Sequence, residues 1–146
     1  VVITIMKDQA KSLVVETMRL GQLIGDELSC TLHPYDLTLQ QFNVLRILRG
    51  CKKSPATLQY ITERMIHKTS NTTRLVDRLI TKGLVERKQC HENRRKVDIS
   101  ITKQGLALLL KIDPNIINKE VEIANRLSES DLQNLLTIYQ KLIITL

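Results

Sequence analysis

Apolar residues recur every three or four positions through most of the chain, and this spacing predicts a mainly helical protein. The first apolar stripe begins at Met6 and ends near His33-Pro34, which predicts one long N-terminal helix. Two more helices are predicted to begin at Thr38 and Thr57, because a threonine hydroxyl can accept a hydrogen bond from a free N–H group of the first helical turn. Gln41 would complete a capping box with Thr38.

Two stretches that alternate apolar and polar residues follow a fourth predicted helix. That helix covers residues 70–82 and ends at Gly83, a residue type that adopts the left-handed conformation common just after helices. The runs LVERKQC (84–90) and VDISIT (97–102) then predict two antiparallel strands joined by residues 91–96. Two helices linked by a tight turn and followed by a hairpin predict a winged helix-turn-helix.

Helical spacing returns after Thr102 and continues to the end of the chain. Because proline has no backbone N–H, we expect a kink or a break at Asp113-Pro114, where Asp113 could cap a restarted helix. A last helix is predicted to begin with Ser128 or Ser130 as its N-cap. The terminal helices carry wide aliphatic stripes that a small monomer could hardly cover.

The helix predicted over residues 70–82 has one aliphatic and one polar face at about 100° per residue. Thr72, Leu75, Val76 and Leu79 cluster on the first face. The second face carries hydroxyl, arginine and carboxylate groups: Ser70, Thr73, Arg74, Asp77, Arg78 and Thr81. Arginines read guanine edges and hydroxyls reach phosphates in a DNA major groove, so this face suits DNA. An ordinary surface helix is the alternative, although it would normally hold more Glu.

The formal net charge of +7 is concentrated in one part of the chain. Residues Arg64 to Lys103 include eleven Lys or Arg and four acids, whereas eleven bases and eleven acids balance elsewhere. Such a footprint is expected of a surface that binds a polyanion, although a solvated charged face would explain any single basic stretch. Within this window the loop HENRRKV places Arg94, Arg95 and Lys96 near the hairpin tip. They could bind a minor groove or phosphates, the alternative being a hydrophilic turn.

The sequences TTRLVDRLITKGLVERK and NRRKVDISITKQG resemble the signature of the MarR family of winged-helix transcription regulators. The residues that match the Leu-x-x-x-Gly-Leu-Val-x-Arg junction of that family are Leu79, Gly83, Leu84, Val85 and Arg87. Those that match its wing tip and its Leu-Thr-x-x-Gly helix start are Arg94, Arg95, Thr102 and Gly105, with Ile101 in place of Leu. Asn93 stands where the family usually has Asp.

The resemblance implies a single MarR-like domain over residues 1–146, with a winged head at 34–104 and dimerisation helices at 1–33 and 105–146. It also implies a homodimer that binds a pseudo-palindromic operator, expected to be a repressor released by a small aromatic or anionic effector. Because no apolar run is long enough to span a membrane, we expect a cytoplasmic protein. The residues expected to bind DNA are Ser70, Asn71, Thr73, Arg74, Arg78, Arg94, Arg95 and Lys96. Two alternatives remain open: a thiol-based redox regulator of the same fold, and a winged-helix protein-interaction module that does not read DNA.

Other chemistry is sparse in this sequence. It has no Walker loop, dinucleotide fingerprint or catalytic set, so we expect neither an enzyme nor a cofactor. The three histidines lack ligand spacing, and Cys90-His91 is interpreted as an incidental pair rather than a zinc site. Cys30 and Cys51 are expected to pack as small apolar residues. No apolar run approaches the roughly 18 residues of a membrane span.

Overall fold

The computed structural model describes residues 2–52, 54–68, 71–89 and 97–145, with side chains from residue 6 onward. Within these ranges the elements are α1 (Val2–Leu32), a 3-10 turn (His33–Tyr35), α2 (Leu39–Gly50), α3 (Leu58–Arg64), α4 (Thr72–Thr81), β1 (Val85–Gln89), β2 (Val97–Ile101), α5 (Lys103–Ala124) and α6 (Glu129–Thr145). The predicted order of helices and hairpin is therefore confirmed, and the fold is a mainly helical winged helix-turn-helix.

The helix N-caps predicted from hydroxyl side chains are confirmed. Thr38 and Gln41 form a complete capping box, in which each side chain accepts a hydrogen bond from the other's backbone N–H. Thr57 accepts from the Tyr60 N–H at 3.1 Å. Ser128 caps α6 in the same way, at 3.1 Å. These bonds satisfy N–H groups that a helix leaves free in its first turn, so the helix starts follow from local sequence.

The hairpin predicted from alternation is confirmed, but the strands have an additional partner. β1 and β2 pair antiparallel, with Val85 opposite Ile101 at the base of the wing. Ala56, just before α3, also pairs with Ile99: each backbone N–H donates to the other's carbonyl, at 2.9 and 2.8 Å. This bridge was not predicted, because a single paired residue leaves no alternating pattern in the sequence. It ties the base of the wing to the start of α3.

Buried residues from the winged head (residues 34–104) and from α1 and α5, which with α6 are called the stem, form one aliphatic core. Phe42 is its aromatic member, and α2 contributes Val44, Leu45 and Leu48. Helix α5 contributes a stripe on the facing side: Leu109, Ile112 and Ile116. Fully burying such a side chain contributes about 1.5–3 kcal/mol, so this shared cluster is a principal source of stability.

Of the kink or break expected at Asp113-Pro114, the break is wrong, because α5 continues through both residues, and the kink stays a prediction. A proline inside a helix costs about 3 kcal/mol, and burial of Ile112 and Ile116 on either side offsets that cost. Asp113 does not cap a restarted helix. Its Oδ2 instead lies 2.5 Å from Nη1 of Arg49 in α2. Tertiary packing therefore overrides the local preference of proline.

The outer faces of the terminal helices are apolar and uncovered within the single chain. None of the described residues of α6 is buried. Large exposed apolar side chains occur on α1, α5 and α6: Met6, Leu13, Met18, Leu23, Leu110, Val121, Ile143 and Ile144. Among the described helices, none is both long enough and apolar enough to cross a lipid bilayer.

The prediction that both cysteines pack as small apolar residues is wrong for Cys30, which is exposed within the single chain. Cys51 is half-buried against the core, and its thiol donates to the Ile47 carbonyl at 3.3 Å. Helix α1 presents Cys30 on a face that no other described element covers. The sequence alone does not reveal which face of a long helix is covered.

Replacing Gly105 by alanine should strongly destabilise the protein. A Cβ at this position would lie 2.3 Å from the Leu84 carbonyl oxygen and 2.7 Å from Cγ1 of Ile101. Because the first of these is backbone, relief requires the elements to move apart, at a cost of about 1–3 kcal/mol. Urea unfolding at fixed protein concentration measures this cost. Gly50→Ala is the matched control, since its added Cβ meets nothing within 4 Å. Equal midpoints for the two variants would contradict this account.

Candidate nucleic-acid interface

Helix α4 separates a buried apolar face from an exposed polar face, as its sequence pattern predicts. Thr72, Val76 and Leu79 are buried. Four residues expected to bind DNA are exposed beside one another along α4 and its N-cap: Asn71, Thr73, Arg74 and Arg78. Because the core holds the apolar face, these four side chains project from the opposite side of the helix.

The start of α4 differs from the prediction by two residues. The helix begins at Thr72 rather than at residue 70, because Asn71 is its N-cap and accepts from the Arg74 N–H at 3.1 Å. This hydrogen bond gives Asn71 a structural role in addition to its expected role on DNA. Ser70 lies outside the described residues, so its expected role stays a prediction.

The end of α4 is fixed by a left-handed glycine, as predicted. Gly83 has φ +72°, and its N–H donates to the Ile80 carbonyl at 2.9 Å. The Leu84 N–H donates to the Leu79 carbonyl at 3.0 Å, which completes a Schellman motif. A side chain at residue 83 would be strained in this conformation, and this explains the glycine in the quoted junction.

Residues of the two matched sequence signatures meet where α4 ends and α5 begins. Thr102 Oγ1 donates to the Gly83 carbonyl at 2.7 Å, and the Thr102 N–H donates to the Leu84 carbonyl at 3.0 Å. The same hydroxyl accepts from the Gly105 N–H at 3.0 Å, so Thr102 also caps α5. One threonine therefore joins the end of α4, the base of the wing and the start of α5.

An ion pair connects α4 to the wing. Asp77 Oδ1 lies 3.0 Å from Nη2 of Arg87 in β1. Asp77 is the acidic residue of α4, so Arg87 offsets a charge that would otherwise repel phosphates. This pairing is not predicted from the sequence, since the two residues are ten positions apart and belong to different elements. Both side chains are substantially exposed, so the pair contributes little to stability and more to orientation.

A second ion pair fixes the C-terminal end of α4. Lys82 Nζ lies 2.6 Å from Oδ2 of Asp36 and also donates to the Asp36 carbonyl. Asp36 has φ +53° and follows the 3-10 turn that links α1 to α2. The hydrogen bond from Lys82, and then its charge, lower the pKa of Asp36 below its ordinary value. This contact therefore holds α4 against the connection between stem and head.

Arg74 and Arg78 have no acidic partner among the described residues. They are therefore the cations of α4 that remain available to an external anion. The three cations expected at the wing tip lie outside the described residues, as does Asn93, and their roles stay predictions: Arg94, Arg95 and Lys96. In the described part of the chain, no group of three or more His, Cys, Asp or Glu side chains could hold a metal ion.

Two cavities flank α4. One, of about 630 Å³, lies between α3, α4 and the wing and includes Thr73 and Arg87 in its lining. The other, of about 500 Å³, lies between α4 and the α1–α2 connection and is lined in part by His33, Arg78 and Lys82. Both cavities are lined by polar or cationic side chains, and both are adjacent to the exposed face of α4.

Comparison with known proteins agrees with this geometry. Residues 37–97 match the model of the MarR family. The chain is 30% identical over 127 residues to the HTH-type transcriptional regulator PecS of Dickeya dadantii, covering 85% of this chain and 76% of PecS. It is 28% identical over 128 residues to the HTH-type transcriptional regulator MhqR of Bacillus subtilis, covering 88% of this chain and 87% of MhqR.

A solved structure shares the same fold. The MepR–DNA complex of S. aureus superimposes with a TM-score of 0.83 at 18% identity, covering 91% of this chain and 97% of MepR. The family match lies on the winged head, and the PecS match extends over most of the chain. Regulators of this kind are not enzymes, in agreement with the sequence. This chain belongs to the MarR family of winged helix-turn-helix transcriptional regulators.

Proposed function

We propose that this regulator binds a pseudo-palindromic DNA operator as a homodimer, with one winged head in each half-site. The observation that carries the proposal is the exposed face of α4, where Arg74 and Arg78 lack acidic partners among the described residues. Unpaired arginines on a helix that projects from a rigid core match what the major groove requires. The relative MepR has been solved in complex with DNA, and its fold is the same.

The expected DNA-binding residues form two groups, one on α4 and the residues just before it, and one on the wing. Thr73, Arg74 and Arg78 would contact base edges and phosphates in the major groove, with Ser70 and Asn71 near the phosphates at the start of α4. The wing cations would contact the adjacent minor groove or backbone: Arg94, Arg95 and Lys96. The Asp77–Arg87 ion pair supports this division, because it couples the wing to α4.

The homodimer is proposed from the uncovered apolar faces of α1, α5 and α6. Helices 1–33 and 105–146 would form the interface, and residues 34–104 would form the DNA-binding head. None of the described residues of α6 is buried, so this helix buries little apolar surface within one chain. A second copy of the chain would bury its exposed apolar side chains. A two-fold axis would also place two basic heads on one side of the dimer.

We further propose a repressor that a small aromatic or anionic effector releases, acting in the cytoplasm where the DNA is. A dimer bound across a promoter excludes other proteins from it. An effector weakens DNA binding if it prefers a conformation of the dimer in which the two heads are not spaced to match the operator half-sites. A hundredfold loss of affinity requires a preference of about 2.7 kcal/mol. The two cavities beside α4 support this proposal, since their linings include Arg78, Lys82 and Arg87 next to the DNA-binding face.

Operator affinity should fall steeply with salt. If each head neutralises several phosphates, a plot of log affinity against log salt should have a slope on the order of −5 to −8 for the dimer, because each phosphate contact releases condensed counterions. Fluorescence anisotropy with a labelled operator at several salt concentrations measures the slope. A slope near zero would contradict DNA binding and would favour the protein-interaction module.

Arg74→Ala should reduce sequence-specific binding selectively. Loss of a base contact in the major groove costs about 1–3 kcal/mol on the operator and little on random DNA. Arg46→Ala is the matched control: it removes the same charge from an exposed position of α2, outside residues 64–103 and outside the helices proposed to form the dimer interface. Titration of both variants against operator and random duplexes measures the difference. Equal losses on the two duplexes for Arg74→Ala would refute a base-reading role.

Arg94→Ala should instead weaken binding to both duplexes, because a wing cation contacts the minor groove or the backbone. Its effect on the operator should be greatest where the flanking sequence is rich in A·T, since a narrow minor groove concentrates negative potential. Operators with A·T-rich and G·C-rich flanks, titrated in parallel, measure this dependence. If Arg94→Ala reduced affinity equally for the operators with A·T-rich and G·C-rich flanks, the wing arginine would not recognise the width of the minor groove.

A further inference from the structure

One turn of α5 receives polar contacts from two parts of the head. Pro114 lies in this turn and has no N–H, so the helix lacks one of its own hydrogen bonds there. Arg49 at the end of α2 pairs with Asp113 at 2.5 Å. On the same turn, the Tyr35 hydroxyl accepts from Nδ2 of Asn115 at 2.5 Å. The head therefore contacts the stem at the point where the stem helix has lost a backbone hydrogen bond.

The Arg49–Asp113 pair differs in kind from the packing around it. The aliphatic core between α2 and α5 is held by apolar burial, which has no directional preference. An arginine–carboxylate hydrogen bond is directional and selects one alignment of the two helices. The side chains of Arg49 and Asp113 are 35% and 26% exposed, so solvent screens this pair only in part. The Arg46–Glu120 pair on the same two helices is longer, at 4.0 Å, and about half exposed on both sides.

Helix α2 can carry this alignment to the DNA-binding face. It packs against both α5 and α4. A change in how α2 sits on α5 therefore moves α4 relative to the stem. The C-terminal end of α4 is also held by the Lys82–Asp36 pair to the connection that leads into α2. The orientation of α2 on α5 therefore determines the direction of the recognition helix, α4, relative to the stem.

We propose that Arg49 and Asp113 are positioning residues that fix the angle of the winged head on α5, and thereby the separation of the two recognition helices in the dimer. This inference rests on the proposed homodimer. Two heads that read one face of B-DNA must sit about one helical turn, roughly 34 Å, apart. The ion pair removes the freedom of the head to rotate on its apolar core, so only operators with the matching half-site spacing are bound tightly.

The test compares operators whose half-site spacing differs by single base pairs. Full-length wild type should prefer one spacing at least tenfold over a spacing changed by one base pair. Asp113→Ala and Arg49→Ala should each reduce that preference three- to tenfold, and the double variant should lose no more than either single variant. Arg46→Ala is the matched control, since it removes an arginine from the same helix but leaves the Arg49–Asp113 pair intact. Its spacing preference should equal that of wild type.

A second readout does not depend on DNA. Spin labels at Glu63→Cys, in a background where the native cysteines are serine, would report the distance between heads by pulsed electron paramagnetic resonance. The distance distribution should be narrow with the pair intact and broader in Asp113→Ala. A general loss of stability would instead weaken binding to every spacing by one factor and leave the distribution unchanged, and that combination would overturn the positioning role.

The same two measurements separate this inference from the proposed operator binding. If wild type bound no spaced operator but Asp113→Ala still broadened the distribution, operator binding would be wrong and the positioning role would stand. Suppose instead that wild type bound one spacing tightly and that Asp113→Ala changed neither the spacing preference nor the distribution of distances between the heads. Operator binding would then stand and the positioning role would fall. A monomeric wild type in sedimentation would overturn both.

Discussion

The close approach of the Leu84 carbonyl to Gly105 sets the geometry of the head. A side chain at residue 105 would meet that carbonyl at 2.3 Å, so the start of α5 can lie against the base of the wing only because no Cβ is present. The Thr102 hydroxyl and N–H then bind the carbonyls of Gly83 and Leu84. The end of α4, the base of the wing and the start of α5 therefore meet at this contact, which fixes where the three elements join.

The cations of the basic window have two different tasks. Lys82 and Arg87 hold α4 against the α1–α2 connection and the wing through their ion pairs, whereas Arg74 and Arg78 remain unpaired with any described acid. One part of the positive charge in residues 64–103 therefore orients the surface through ion pairs, and another part has no acidic partner among the described residues. The number of Lys and Arg residues locates such an interface but does not tell which of them are free to contact a polyanion.

Features set by neighbouring residues were predictable from the sequence, and features set by distant contacts were not. The caps at Thr38 and Thr57, and the end of α4 at Gly83, depend on bonds within a few residues, so the pattern of residue types was sufficient. The continuity of α5 through Pro114 depends on burial against the head, which no local pattern expresses.

The candidate interface shows the same division between local and distant contacts. The polar face of α4 followed from helical periodicity, because the apolar stripe alone decides which side is exposed. The Asp77–Arg87 pair and the Ala56–Ile99 bridge did not, since each joins residues of separate elements. The exposure of Cys30 was likewise not predictable from the sequence, because it depends on which face of α1 other helices cover.

The aliphatic core shared by α2 and α5 makes head and stem one cooperative folding unit. A fragment that ended with the wing would lose Leu109, Ile112 and Ile116 from the core that also contains Val44, Leu45 and Leu48. The DNA-binding part of this chain is thus not a portable module. Exchanging heads between related regulators would require transferring the first half of α5 as well, so the core residues of the head and those of α5 are constrained to evolve together.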